Sequence, residues 1–442
     1  MHYKENFSNS LSGTSNKIAV VFISGSAGEL DWILPILDYL LQKKFKIKII
    51  FLSRHALKSV EENSMCNEFI NSKNNKIDTI SLGGYFFEKI ERIGYLTYRG
   101  FLKLEFSKIP LINSLFKFYF SFLKFLFIRK LPTEIADFKD SKFLFFAEFP
   151  GLRRPRDKWI KEMFNSSIFF YSPHSPHIYV EDLDRKYEES FKKDFGKKSF
   201  LLLGHPGDFE IINDGKELAS EGLEKLFIGH PKYSNNWLRN LKKESRLFRE
   251  TYKTRNKTTI LVLSRGHGSY LDESSHMQMV DKTIEAIENQ VPNYSLLVKK
   301  HPREIPSHWD KVSIENNAIQ VVNEHILQLA TKVDFVISFW GSGSMDCFML
   351  GVPVIEYWDP VKHNKQQVPS NDTYTTIYRK LGIVLEANNE FELGKQISRL
   401  KNDQYSLPEK EVHPYFDQLI TRSNQWNETI EKILLSKDFI LD

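Results

Sequence analysis

The sequence predicts an α/β protein made of two doubly wound, Rossmann-like domains that face a cleft. Three observations carry this. The chain has 442 residues, more than the roughly 250 to 300 at which one hydrophobic core stops growing. Short apolar runs alternate with turns and with longer segments of helical periodicity along most of its length, which is the pattern of βα units and parallel sheets. Several turns that follow the apolar runs are rich in Gly, Ser, His and basic residues, at the strand ends where such sheets bind ligands.

In the first half, strands are expected near residues 17–24, 46–52, 76–82, 142–147, 167–172 and 199–203. Between the first two, residues 29–43 carry Ile33, Ile36, Leu37, Leu40 and Leu41 at helical spacing and are expected as one helix. In the second half, strands are expected near 259–263, 295–299, 319–322, 334–338, 354–357 and 382–385. A polar stretch, 230–257, separates the halves, so the expected domains are 1–230 and 231–412. Residues 413–442 follow a Pro-punctuated loop and hold Leu419, Ile420, Ile430 and Ile433 at helical spacing, which suits a helix returning to the first domain. No repeat of 20 to 50 residues is visible.

Composition narrows the class. With 41% apolar and 26% charged residues the chain is neither disordered nor a membrane bundle. Its 2 cysteines, Cys66 and Cys347, exclude a disulfide framework and a CxxC zinc site, and imply a reducing compartment. The apolar run 18–23 is too short for a signal peptide, so a cytoplasmic location is expected. The net charge is +5. Lys103, Lys108, Lys117, Lys124, Arg129 and Lys130 against Glu105 already give six minus one, or +5, so the rest of the chain nets to zero. A charge confined to one Phe-rich segment is not a nucleic-acid footprint, and no nucleic-acid partner is expected.

That segment admits two readings. On a helix, Ser114, Lys117, Ser121 and Lys124 form one narrow polar stripe, while Phe116, Phe118, Phe120, Phe122, Phe125 and Phe127 cover the rest. Two lysines and a length below about 20 residues argue against a membrane span. Either the helix is core with snorkelling lysines, or 113–130 is a peripheral contact at the inner face of the cytoplasmic membrane.

Three loops after strands could carry chemistry. The first runs from Ser24 through Gly25, Ser26, Ala27 and Gly28 to Glu29 and Asp31. Ser26 and Gly28 let backbone approach a ligand, and Glu29, with Asp31 second, is placed as a general base or as a capping carboxylate. The second reads Lys299-Lys300-His301-Pro302-Arg303-Glu304 and suits an anion, with Lys300 and His301 as donors and His301 able to give a proton. The third, Gly341-Ser342-Gly343-Ser344-Met345-Asp346, combines small residues and hydroxyls at a helix start, a phosphate cradle or an ordinary cap. Arg265, between Ser264 and Gly266-His267-Gly268, is a further phosphate candidate. His174 and His177 have HxxH spacing but no third ligand, so no metal site is expected and His174 is assigned to the cleft lining. Asp182-Leu183-Asp184 is formally a DxD within a run of charges and reads as a helix start, and His205-Pro206 reads as a turn.

These residues carry a resemblance. Leu296 to Glu304, the strand 333–338 and the Gly-Ser-Gly-Ser helix ending in Leu-Gly-Val-Pro-Val-Ile-Glu resemble the donor half of GT-B glycosyltransferases. More narrowly they resemble the His-Pro branch: bacterial sialyltransferases, Kdo transferases and the CDP-glycerol polymerases. The resemblance covers roughly 227–386 and the first loop, where Ser26 to Glu29 is similar to the Ser-Val-Gly-Glu of lipid A Kdo transferases. It implies that His301, Ser342 and Ser344 hold the donor phosphate and that Glu29 is the base. The residues themselves add Arg265, Lys300 and Gly343 as donor-phosphate contacts, Glu356 as able to reach a ribose hydroxyl, His301 as a proton donor and Asp31 as the second candidate base. Ser26, Gly28 and His174 would lie on the acceptor side. The implied reaction moves a sugar, a nonulosonic acid or Kdo, from a CMP-activated donor to a cell-surface polysaccharide or lipid-linked glycan. It inverts the anomeric centre and requires no metal or other cofactor. Alternatives are polyol-phosphate transfer from CDP-glycerol or CDP-ribitol, a UDP-HexNAc 2-epimerase whose expected SGG-x-QEE run is missing here, and a degenerate, non-catalytic assembly partner at the membrane.

Overall fold

The computed structural model describes residues 17–82, 110–129, 143–149, 168–173, 199–206, 223–242, 257–267, 271–301, 304, 307–363, 375–402 and 412–435. The first half contains β1 (Ile18–Ile23), α1 (Ala27–Asp31), α2 (Leu34–Gln42), β2 (Lys46–Phe51), α3 (Arg54–Glu61), α4 (Ser64–Ser72), β3 (Ile77–Ser81), α5 (Pro110–Arg129), β4 (Leu144–Phe149), β5 (Ile168–Pro173), β6 (Ser199–Leu203) and β7 (Leu223–Phe227). After a 3-10 turn, Pro231–Tyr233, come β8 (Thr258–Leu263), α6 (Glu273–Gln290), β9 (Tyr294–Lys299), α7 (His308–Glu315), β10 (Ile319–Val322), α8 (Ile326–Ala330), β11 (Phe335–Ser338), α9 (Gly343–Met349) and β12 (Val354–Tyr357). The chain continues through α10 (Pro360–His363), α11 (Ile377–Lys380), β13 (Leu385–Ala387), α12 (Glu390–Lys401) and α13 (Tyr415–Leu434).

The strands form two sheets, a 7-stranded one ordered β3-β2-β1-β4-β5-β6-β7 and a 6-stranded one ordered β10-β9-β8-β11-β12-β13. Every strand pair is parallel. The central strands read as continuous apolar runs, Ile-Ala-Val-Val-Phe-Ile in β1 and Thr-Thr-Ile-Leu-Val-Leu in β8. A parallel sheet covered on both faces demands this pattern. The fold class is thus two doubly wound α/β domains.

Details depart from the sequence expectation for local reasons. The expected helix 29–43 is two, because Pro35 in the first turn of α2 lacks the N–H that would continue α1. Strand β7 was not expected: Leu-Glu-Lys-Leu-Phe is polar at its centre, and it forms the sheet edge, where both faces need not be apolar. Strand β13 starts three residues later than expected, because Gly382 adopts φ +69° in the turn that closes α11.

One apolar cluster runs from β1, α1, α2 and α4 to Leu327 and Leu329 of α8 and Cys347 of α9, so the two halves share a continuous buried junction. Helix α13 lies across the first half: Trp426 meets Tyr39 of α2 edge-on at 5.5 Å, and Lys43 pairs with Glu431. It also takes the His230 N–H on Ser423 Oγ at 2.9 Å. Gly229 permits this approach, since its φ is +69° and a Cβ there would stand 2.2 Å from the Ser423 backbone nitrogen.

Candidate functional site

In a doubly wound sheet the loops diverge where the strand order reverses, and a crevice opens there at the carboxyl ends of the strands. The first sheet reverses between β1 and β4, the second between β8 and β11. The first crevice is therefore bounded by the loop 24–28 and the end of β4, and the second by Arg265 after β8 and Trp340 to Ser342 after β11. The end of β9, with His301, is one strand further on.

The second crevice is built around Trp340. This bulky residue has φ +60°, a left-handed conformation that costs energy for any side chain but Gly. Its neighbours hold it there: Trp358 stacks on it at 5.5 Å, and the Arg265 guanidinium lies 4.2 Å from its ring centre. Arg265 Nη1 also donates to the Trp340 carbonyl at 3.1 Å. A half-buried guanidinium is thereby fixed at the reversal point, beside the exposed Ser342.

Neighbouring predicted donors have distinct environments. Ser342 precedes α9 and makes no side-chain capping bond to it. Gly343 and Ser344 are buried, and the Ser344 hydroxyl donates to Ser338 Oγ at 3.0 Å, inside the domain rather than toward the crevice. His301 is exposed at the end of the β9 loop. The Lys300 ammonium is bonded to Asp310 of α7 at 2.6 Å. Glu304 anchors this loop, being only 1% exposed. It accepts from Ser264 Oγ at 2.9 Å, from Ser307 Oγ at 2.5 Å and from the His301 N–H at 3.3 Å, with His276 Nε2 at 3.1 Å. Burial pushes the Glu304 carboxyl up, but His276 and the two serines outweigh it and hold it below the usual glutamate range. Gly266 keeps room for it, since a Cβ there would meet Glu304 Cγ at 2.5 Å.

Glu356 is fully buried at the end of β12, its Oε1 taking Arg379 Nε at 2.8 Å and Thr376 Oγ1 at 2.7 Å. Burial raises its carboxyl despite Arg379. Its Oε2 has no hydrogen-bond partner among the described residues.

In the first crevice the Glu29 carboxylate, 3% exposed, accepts the N–H groups of Ser24 at 2.8 Å, Gly25 at 2.5 Å and Ser26 at 3.1 Å. With Ser26 Oγ taking the Gly28 N–H at 3.3 Å, this is a capping box. The Ser24 hydroxyl lies 3.3 Å from both Glu29 oxygens and 3.4 Å from Glu148 Oε2 of β4. Glu148, half-buried across the reversal point, is a carboxylate that sequence reasoning missed. Nothing in Leu-Phe-Phe-Ala-Glu-Phe marks it, and only the order of strands brings it to Ser24.

Asp31 sits at the junction of the halves. Lys232 Nζ lies 3.1 Å from Asp31 Oδ2 and 2.9 Å from Asp346 Oδ1, Tyr233 Oη donates to Asp346 at 2.8 Å, and His325 Nε2 stands 3.4 Å from Asp31 Oδ1. Burial alone would raise the Asp31 carboxyl, but Lys232 and His325 hold it far below the usual aspartate range. Burial opposes the Lys232 charge, and the two aspartates more than restore it, raising its pKa. Sequence reasoning flagged Asp31 and Asp346 in separate loops but not their pairing through Lys232, with His325 beside them. His174 lies outside the described residues, as do His177 and Asp182-Leu183-Asp184. Among the described residues no group of three or more His, Cys, Asp or Glu is arranged to hold a metal ion.

Residues 229–374 match a family described as a protein of unknown function, DUF354. No curated protein matches the chain in sequence. Among solved structures, UDP-GlcNAc 2-epimerase from Methanocaldococcus jannaschii aligns with TM-score 0.53 and 12% identity, over 95% of this chain and 100% of its own. The UDP-GlcNAc 2-epimerase from Neisseria meningitidis, bound to UDP-GlcNAc, gives 0.51 and 12%, over 95% and 99%. A glycosyltransferase from Rickettsia africae covers 96% and 100% with 13% identity, at a TM-score of 0.49 that is too low to argue from. At these identities the likeness shows the fold alone. The two parallel-sheet domains share their fold with these UDP-GlcNAc 2-epimerases.

Proposed function

We propose that this chain is a GT-B glycosyltransferase that takes a sugar from a nucleotide-activated donor, CMP-activated in preference, and passes it to a surface polysaccharide or lipid-linked glycan. The observation that carries the reading is the second crevice: Arg265 clamped on Trp340 at the reversal of the sheet, with Ser342 on the same loop and His301 one strand away. Breaking a bond between an anomeric carbon and a phosphate oxygen builds negative charge on the leaving phosphate. A fixed guanidinium, an imidazole and a hydroxyl at that point stabilise the transition state more than the ground state. These cations supply the countercharge, so no metal is required in the proposed mechanism. Glu356 Oε2, an acceptor lacking a partner among the described residues, supports contact with a donor hydroxyl.

The acceptor hydroxyl would approach from the first crevice and lose its proton to a carboxylate there, inverting the anomeric centre. Glu29 is the first candidate by its loop. Glu148, joined to it through Ser24, is the second. The proposed test is donor profiling. CMP-, CDP- and UDP-activated compounds are screened for a rise in melting temperature and then for product. A CMP-sugar that stabilises the protein and yields glycosylated acceptor supports the reading. Transfer of a polyol phosphate, or interconversion of UDP-GlcNAc and its 2-epimer with no acceptor, replaces it, and absence of any shift overturns it.

A further inference from the structure

Helix α5 exposes four large apolar side chains. Leu115 is 62% exposed, Phe118 73%, Phe122 51% and Phe125 54%, whereas Leu123 is buried at 6%. At about 100° per residue these four side chains fall within an arc of about 80°. A protein surface rarely leaves so many large apolar groups together unless something covers them.

The sequence of this segment says which surface suits it. Residues 106–133 contain no Asp or Glu, and the six basic residues of 101–130 less Glu105 account for the whole net charge of +5. A basic, Phe-rich helix complements an anionic interface: its rings enter the acyl boundary while its lysines meet head groups. No helix among the described residues is long and apolar enough to cross a membrane, so α5 would lie in the plane of the surface.

We propose that α5 docks the protein on an anionic lipid bilayer through Leu115, Phe118, Phe122 and Phe125. This is independent of the donor chemistry, and its test needs no substrate. Full-length protein is sedimented with vesicles of phosphatidylglycerol and phosphatidylcholine, and with phosphatidylcholine alone. Wild type should bind the anionic vesicles, less so as salt rises. The triple variant Phe118→Ser, Phe122→Ser, Phe125→Ser should bind roughly tenfold or more weakly, with little change in melting temperature because each of the three rings is at least half exposed. Lys117→Glu with Lys124→Glu should also weaken binding while leaving the rings intact. Both native cysteines are buried, so a Phe122→Cys variant can be labelled selectively with an environment-sensitive dye, whose emission should shift to the blue on anionic vesicles. Wild type remaining in the supernatant, or a triple variant binding as tightly as wild type, overturns the proposal. So does self-association in sedimentation velocity that the triple variant abolishes while vesicle binding is absent, which would make a second copy the occupant.

Discussion

At the residue scale, two carboxylates near one hydroxyl have separable tasks. Glu29 holds three backbone N–H groups of its own loop, so Glu29→Gln should lower both turnover and melting temperature. Glu148 reaches the same hydroxyl from across the reversal point, so, if it is the base, Glu148→Gln should cut kcat by about 10²- to 10⁴-fold while leaving nucleotide binding nearly unchanged. Steady-state kinetics beside thermal melts separates them, and full activity in both variants excludes either as the base. Arg265→Ala removes the guanidinium from Trp340 and should weaken nucleotide binding about tenfold or more, read by calorimetric titration. The positions of Arg265, His301 and Glu29 after strand ends were legible in the sequence because strand, then small or cationic loop, is a local pattern. The direction of the Ser344 hydroxyl, toward Ser338 and away from the crevice, was not, because it depends on a backbone rotation that composition does not encode.

At the scale of elements, the β9 loop shows how a buried acid can shape a binding loop without touching ligand. Glu304 ties the loops after β8 and β9 together through Ser264 and the His301 N–H. Gly266→Ala would set a methyl group 2.5 Å from Glu304 Cγ. It should destabilise the protein by about 1–3 kcal/mol, the cost of overpacking, and displace His301, so that melting temperature and nucleotide affinity fall together. Because the folded-state pKa of Glu304 is lowered, the stability it contributes is present above the ordinary glutamate range and lost as pH falls through the folded value. Periodicity predicted most strands, since fully buried parallel strands are continuous apolar runs. It missed β7, which is a strand only because β6 offers it an edge, and it merged α1 with α2 across Pro35.

At the scale of the whole molecule, the domains meet over charge as well as apolar surface. Lys232→Met would leave Asp346 buried with only the Tyr233 hydroxyl and Asp31 with only His325, a loss of about 3–5 kcal/mol. In wild type the lowered Asp31 pKa means that its contribution is fully present above the ordinary aspartate range and is lost only in stronger acid, as pH falls through the folded value. In the variant the sign reverses, since unpaired buried carboxylates favour their protonated forms, and the deficit should shrink as pH falls toward that range. Thermal melts of both proteins between neutral and mildly acidic pH measure this. The sequence marked Asp31 and Asp346 as loop carboxylates but not as partners, because the charges that meet here are spread over four segments that only the fold brings together.

The position of Lys232 has a mechanical consequence. It belongs to the connector itself, and it grips one carboxylate from each half in a place where water scarcely reaches. The two lobes therefore cannot simply swing apart like covers of a book, for that would strand three charges in a dry seam. Relative movement that admits or releases large substrates should instead be a rolling about this ammonium, with the lips of the opening travelling far while the seam stays shut.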